Sequence, residues 1–298
     1  MTGLFHSVVM EAFFTISRKT FQAFSEMYKL RLGHYFKISW SDGTRAILNR
    51  PLLSVGIFAA IFASSLWRTE IVEMARVAGA ARGQGGMPAL IHILLARVLQ
   101  SFATMALTVH VIRYALLGGN GSGHVSMLRG IWRAYRVTSL LSVFAVLGGG
   151  VLVLLMFFTL HHLAWGAHHG IASTFVSITF PIALCFFIMV RLSFLTCSGA
   201  IGERLSISAA WHLTEGHFWA LARMHFLVGA PLVGMVIAHA CIDIFLVRHI
   251  SHGNFLLETK AVEAILVILG VSVGATCLAW LYRDMSAHAT VLAVNADH

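Results

Sequence analysis

The chain has 298 residues, of which 58% are hydrophobic and only 11% charged, and its mean hydropathy is +0.82. A soluble domain of this size could not bury so much apolar surface, so the composition indicates an integral membrane protein. The formal net charge of +9 comes from basic residues at the ends of apolar segments. That distribution is typical of topology signals and anionic-lipid contacts, and it argues against nucleic-acid binding.

The first 40 residues have apolar positions near helical spacing, with Arg18 and Lys19 available for a polar face. We therefore expect residues 1–40 to form an amphipathic interfacial helix on the inner leaflet. A cytosolic helix packed on the rest of the protein is an equal alternative. A transmembrane domain is predicted over 41–286, followed by a short cytoplasmic tail at 287–298.

Six stretches are long and apolar enough to cross a bilayer core of about 30 Å, which requires about 20 residues per helix. They are approximately 50–67, 88–112, 137–160, 172–195, 225–247 and 262–282. The predicted fold is all-α, a polytopic bundle of six spanning helices arranged as three hairpins. A short amphipathic segment precedes each odd-numbered span, so the chain is predicted to contain three weak hairpin repeats, about 80 residues apart, with interfacial helices on the inner face.

The basic residues also predict the orientation of the bundle. Fifteen of the 21 lysines and arginines fall on one face and six on the other. The positive-inside rule then places both termini in the cytoplasm. Each even-numbered span ends at that inner face with an arginine: Arg113, Arg191 and Arg283. A cation there complements the helix C-terminus and reaches the lipid headgroups.

One segment, RLSFLTCSGAIGERLSISAAWHLTEGHFW at 191–219, has an RLS helix end, a short amphipathic helix and a turn of the form W-x-L-T-x-G-x-F-W. The turn consists of Trp211, Leu213, Thr214, Gly216, Phe218 and Trp219. In physical terms, Thr214 and Gly216 break one helix, and the two aromatic residues anchor the next helix at the membrane interface.

This segment resembles the bacterial polytopic membrane family described as the glycerophosphoryl diester phosphodiesterase membrane domain, together with its uncharacterised relatives. The helix ends HVIRYALLGG (110–119) and LAWLYRDMS (278–286) are similar to other helix ends of that family. Glu215 and His217 depart from the family pattern, which has a basic residue before the glycine and an asparagine after it. The resemblance implies a polytopic architecture over most of residues 40–286, in the cytoplasmic (inner) membrane of a bacterium. We expect no phosphodiesterase catalytic domain on this chain, and therefore no enzyme activity.

Arg97 and Asp243 are the clearest charges inside the predicted spans. Both should lie in the outer half of the bilayer, where an unpaired charge is costly, so we expect them to pair. His239 precedes Asp243 by four residues and shares its helix face. The pair is compatible with a structural clasp and with part of a translocation path.

Histidines are concentrated in HHLAWGAHHG at 161–170, predicted to lie on the outer face. The candidate metal ligands on that face are His161, His162, His168, His169, His249 and His252. Neutral imidazole is a common ligand of zinc and copper, but no spacing such as HExxH occurs, so a plain polar loop is the default interpretation. A bis-histidine haem site is a further alternative, using His92 and His110 on the second span with His225 and His239 on the fifth.

The glycine-rich loop GGNGSGH at 118–124 precedes a basic helix with Arg129, Arg133 and Arg136. Backbone amides at such a turn can hold the phosphate of a lipid headgroup. No Walker lysine follows, so a nucleotide site is not expected.

These observations predict a non-catalytic membrane protein without a cofactor. It would act as an accessory, scaffolding or regulatory component that binds lipids or membrane partners. The alternatives are a transporter or channel with a path near Arg97, His239 and Asp243, and a metal- or haem-binding protein that uses the histidines.

Overall fold

A computed structural model describes residues 32–82, 86–118, 126–140, 183–203, 205–215, 217–249 and 255–296, together with residues 143 and 179. All regular structure in these residues is helical. The helices are α1 (Leu32–Asn49), α2 (Pro51–Arg82), α3 (Gly86–Leu117), α4 (127–140), α5 (Ala183–Ile201, with a turn at Ser193), α6 (Ile207–Leu213), α7 (Phe218–His249) and α8 (Phe255–Ala296).

Five of these helices are long and apolar enough to cross a membrane. The crossing segments are Pro51–Met74, Ile91–Leu117, Ala183–Ile201, Phe218–Ile242 and Leu256–Ala287. The chain is therefore a multi-pass, all-α membrane protein, and the five segments overlap the first, second, fourth, fifth and sixth predicted spans. The predicted third span, 137–160, lies outside the described residues except for 137–140, the end of α4, and residue 143. Six spans and three hairpins stay predictions.

All five crossing segments extend beyond the predicted spans at one end or both, and the ends of α2 and α5 show what lies at such an extension. α2 continues as a helix to Arg82, beyond the predicted end at residue 67, and Arg68, the first residue past that end, pairs with Glu263 of α8 at 3.4 Å. α5 continues to Ile201 instead of residue 195, because its last turns are buried against α3 and α4. It ends at Gly202, whose φ of 90° suits a glycine, and whose N–H donates to the carbonyl of Ser198 at 3.0 Å.

The helix α8 forms the centre of the bundle. It packs against α1, α2, α3, α5 and α7, and its residues Val273, Thr276, Cys277 and Leu281 have no exposed surface. By contrast, α7 has only 6% of its most apolar stretch buried, against 56% for α8. Two pairs of helices adjacent in sequence, α2 with α3 and α7 with α8, are also packed together.

The helix α1 is buried along one side and lies within the bundle. Tyr35, Ser39 and Ala46 on this side are at most 3% exposed. Gly43 allows the closest approach to α8, since a Cβ there would lie 3.2 Å from the carbonyl group of Ser272. The expected boundary between an interfacial segment and the transmembrane domain, at residue 40, therefore falls inside a continuous packed helix. Residues 1–31 lie outside the described residues.

Candidate functional site

One end of the bundle contains a charge cluster between α2 and α8, which we call the Glu263 end. The Glu263 carboxylate accepts hydrogen bonds from Lys260 Nζ at 2.7 Å, Ser65 Oγ at 3.2 Å and Arg68 Nη2 at 3.4 Å. The side chains of Arg68 and Lys260 are each 21% exposed, and that of Glu263 is 32% exposed. Burial to this degree strengthens the attraction between the charges, so the cluster joins the two helices.

The other end of α8, the Tyr282 end, carries hydrogen bonds between aromatic donors and carboxylates. They are Trp280 Nε1 to Asp42 Oδ2 at 3.2 Å, Tyr282 OH to Glu203 Oε2 at 2.6 Å, and Tyr35 OH to Asp284. These bonds connect α8 to α1 and to Glu203, two residues beyond the end of α5. Each places an ionisable acid against a donor on another segment, which satisfies a hydrogen-bonding group that is partly buried in the case of Asp42 and Asp284.

The three arginines predicted at the inner face occupy this Tyr282 end. Arg113 is buried, and its Nη1 donates to the carbonyl of Ala200 at 3.4 Å, which joins α3 to α5. Arg191 donates to the carbonyl of Trp211 at 3.1 Å, and its guanidinium lies 4.7 Å from the centre of the Trp211 ring. Arg283 is exposed and lies over the ring of Trp280 at 4.9 Å. Two of the three arginines therefore connect different helices of the bundle.

The W-x-L-T-x-G-x-F-W turn is a packed corner between α6 and α7. The fully buried Thr214 hydroxyl lies 3.0 Å from the carbonyl oxygens of both Ala210 and Trp211, to which it can donate. The Phe218 ring packs on Phe187 of α5 at 4.7 Å. Trp219 is exposed, as expected of an aromatic residue at the membrane interface. Gly216 lies outside the described residues.

The basic helix α4 packs on the end of α5. Arg133 Nη1 donates to the carbonyl of Gly202 at 3.3 Å. Arg136 lies over the ring of Trp132 at 5.3 Å. Arg129 is exposed. The loop at 118–124 lies outside the described residues apart from Gly118, whose φ is 79°.

The predicted pair of Arg97 and Asp243 remains a prediction. The Arg97 side chain is exposed on α3, whereas the Asp243 side chain lies outside the described residues. His239 is partly buried on α7. The main packing partners of α3 are α1, α2, α5 and α8, whereas those of α7 are α1 and α8.

Most of the candidate metal ligands lie outside the described part of the chain. These are His161, His162, His168, His169 and His252, together with the side chain of His249. Of the haem candidates, His110 Nε2 lies 3.0 Å from the carbonyl oxygen of Ala46, and His225 Nδ1 lies 2.8 Å from that of Leu221. His92 lies beside the Trp67 ring at 5.8 Å. Within the described ranges, no three residues of the types His, Cys, Asp and Glu are grouped as a metal site would require.

No family model, curated protein or solved structure matches the chain. The resemblance to the phosphodiesterase membrane-domain family stays a prediction carried by the motifs at 110–119, 191–219 and 278–286. Any functional proposal must therefore come from the contacts themselves.

Sequence reasoning missed the cluster at the Glu263 end. Two signals were present in the chain. Lys260 and Glu263 are three residues apart, so they share a helix face. Arg68 lies just after the end of the first predicted span, and Lys260 and Glu263 lie at the start of the sixth. Because these two spans are predicted to be antiparallel, the end of one lies beside the start of the other, and all three residues fall on the same side of the membrane.

Proposed function

We propose that this chain is a non-catalytic accessory or scaffolding protein of the bacterial cytoplasmic membrane. The observation that carries the proposal is that α8 is tied to its neighbours at both ends. At the Glu263 end it bonds to α2, and at the Tyr282 end it bonds to α1 and to Glu203 beyond α5. The carboxylates of Glu263, Asp42 and Glu203 thus join α8 to other segments of the chain.

Such an arrangement favours a scaffold over a transporter. Alternating access requires one group of helices to rock against another, so that the two ends open in turn. With α8 tied at both ends, opening either end would break hydrogen bonds between α8 and its neighbours. A bundle held in this way presents a constant surface to a partner.

The basic residues support the orientation of this scaffold. Arg113, Arg191 and Arg283 all lie at the Tyr282 end, together with the exposed arginines of α4. The positive-inside rule assigns that end to the cytoplasm. Both termini would then be cytoplasmic, and the Glu263 end would face outward.

The proposed partner surface is the exposed side of α7. Val233, Val236 and Ile237 are each more than half exposed on this side. A Cβ added at Gly234 would have nothing within 4 Å, so another helix could approach the backbone closely there. Lipid can cover this surface, but a membrane partner that packs on it would gain van der Waals contacts that lipid tails make less well.

The test is quantitative affinity purification of the tagged full chain from its native membrane in mild detergent. We expect at least one membrane protein to copurify in stoichiometric amount. Val236→Trp should reduce its recovery about tenfold, because the larger ring disturbs the proposed contact surface. Val55→Trp, an equal change at an exposed position of α2, is the matched control and should leave recovery unchanged.

Two results would contradict the proposal. One is the absence of any stoichiometric partner from a well-folded preparation. The other is uptake of a solute by proteoliposomes that contain only this chain, with loss of uptake in a folded Asp243→Asn variant, since that result would favour the transporter alternative.

A further inference from the structure

The helix α4 presents two different sides. One side carries Gly130, Ile131 and Ala134, all buried. The opposite side is exposed and carries Leu128, Arg129, Trp132, Arg133, Arg136 and Leu140. Basic, aromatic and aliphatic side chains thus share one exposed surface, a combination typical of helices at a membrane–water interface.

Contacts with α5 define the direction in which α4 runs. A Cβ on Gly130 would lie 3.0 Å from the carbonyl oxygen of Ala200, and one on Gly199 would lie 3.5 Å from the Ala134 backbone. Further along, the hydroxyls of Thr138 and Thr196 are 3.2 Å apart. Successive contacts therefore pair later residues of α4 with earlier residues of α5, which means that the two helices are antiparallel. The first turns of α4 therefore lie beside the last turn of a membrane-crossing helix.

This position places the arginines of α4 at the level where phospholipid headgroups lie. Arg133 bonds to the carbonyl of Gly202, one residue beyond the end of α5. Arg136 is one turn further along α4, and its guanidinium lies back over the Trp132 ring. That orientation carries the charge away from the bilayer core toward the headgroups, as expected of a long basic side chain near the end of a span.

We propose that the exposed side of α4 is a binding site for the phosphate of an anionic glycerophospholipid in the cytoplasmic leaflet. Arg129 and Arg136 would bind the phosphate oxygens, and Arg133 would contribute its remaining N–H groups. Trp132 would pack at the level of the glycerol backbone, with Leu128 and Leu140 against the acyl chains. The inference rests on the orientation given under the proposed function, which makes the Tyr282 end cytoplasmic.

A lipid fits this surface better than a soluble phosphate compound or a nucleic acid. Leu128 and Leu140 are more than half exposed, and apolar groups interspersed with the arginines would gain nothing from a fully solvated ligand. A bilayer lipid covers both the charged and the apolar groups at once. The phosphate supplies the negative charge that the arginines require.

The test is native mass spectrometry of the purified full chain in neutral detergent, titrated with phosphatidylglycerol and, separately, with phosphatidylcholine. Wild-type protein should bind phosphatidylglycerol selectively. The double variant Arg129→Gln/Arg136→Gln should bind it at least about tenfold more weakly, because each basic residue near an anionic surface contributes about a fivefold gain. The variant Arg129→Lys/Arg136→Lys should retain most of the binding.

The matched control is Arg45→Gln/Arg283→Gln, which removes the same charge from two exposed positions on α1 and α8. This control should bind phosphatidylglycerol within about threefold of wild type. Equal weakening in both glutamine variants would overturn the site, since it would show attraction to net charge alone. Displacement of the lipid by millimolar glycerol 3-phosphate would overturn the assignment to a lipid in favour of a soluble phosphate.

If the glutamine double variant fails to fold, a single substitution at Trp132 tests the same site. Trp132→Ala alone should weaken phosphatidylglycerol binding by about threefold or more, and unchanged binding would contradict the proposed site. The affinity purification described above distinguishes this inference from the scaffold proposal. Loss of lipid binding with the partner retained would reject the α4 site alone, whereas lipid binding without a partner would reject the scaffold alone.

Discussion

The two ends of α8 are held by opposite means. At the Glu263 end, one carboxylate accepts hydrogen bonds from two cations and a hydroxyl, so the polar connection to α2 depends on a single residue. At the Tyr282 end, three carboxylates on three segments each accept a bond from an uncharged aromatic donor. The hydrogen bonds of the Glu263 end are charged and all meet at one carboxylate, whereas those of the Tyr282 end are distributed over three separate carboxylates. We therefore expect single substitutions to affect the two ends very differently.

The largest effect should come from breaking several bonds of the Tyr282 end together. Gly43→Leu would push α1 away from Ser272 and Thr276, and α1 carries both Tyr35 and Asp42. Overpacking of this kind costs about 2–3 kcal/mol. Thermal unfolding in detergent should show a clear fall in Tm. Gly56→Leu is the control, since a Cβ at Gly56 meets nothing within 4 Å, and an equal fall in Tm for both variants would contradict the close crossing.

Glu263→Gln tests the Glu263 end, where all the bonds meet at one carboxylate. It would leave Arg68 and Lys260 facing each other without a counter-charge. We expect a loss of about 2 kcal/mol, less than for a fully buried pair because the cluster is partly exposed. Chemical denaturation of the variant and of Ser65→Ala would measure this. Ser65→Ala removes one neutral donor and should cost under about 1 kcal/mol, so similar losses in the two variants would mean that the charges contribute nothing.

Tyr282→Phe removes one of the three bonds at the distributed end. The ring would stay packed against Phe194, while the hydrogen bond to Glu203 would be lost. The expected loss of stability is about 1 kcal/mol. The same denaturation experiment should show an effect about half that of Glu263→Gln. Tyr135→Phe is the control, since it removes the hydroxyl of a tyrosine that makes none of these three bonds. If Tyr282→Phe lost as much stability as Glu263→Gln, the bonds at the Tyr282 end would not be independent of one another.

Arg283→Gln should have the smallest effect. Its guanidinium is exposed and lies over Trp280, and such rim contacts contribute about 0.5 kcal/mol or less. We expect a Tm within experimental error of wild type. A large loss would show that the cation–π contact helps to hold Trp280 against Asp42, which would make the Tyr282 end more interdependent than three separate bonds.

Much of the fold was predictable because the hydropathy of a segment depends only on the residues within that segment. Five predicted spans overlap the five helices capable of crossing a membrane, and Arg113, Arg191 and Arg283 lie at one end of the bundle. Thr214 also lies at the predicted corner before α7. These features depend on residues close in sequence, where composition and spacing carry the information.

The candidate sites were less predictable. The cluster at Glu263 depends on which residue of α2 faces which residue of α8, almost 200 positions away, and hydropathy contains no such register. Arg97 and Asp243 were predicted to pair only because both were expected at a similar depth in the bilayer. Arg68, the charge at which the first predicted span ended, instead proved to pair with Glu263 on a distant helix.

The sequence by itself therefore determined the class of protein, the positions of five spanning helices and the basic character of one end, since each follows from the transfer of local segments into lipid. Only the tertiary structure decided that α8 is central, that α1 is packed inside the bundle and that Glu263 joins two helices. These features depend on helix rotation and close approach. Both are determined by small residues such as Gly43 meeting a neighbour distant in the chain.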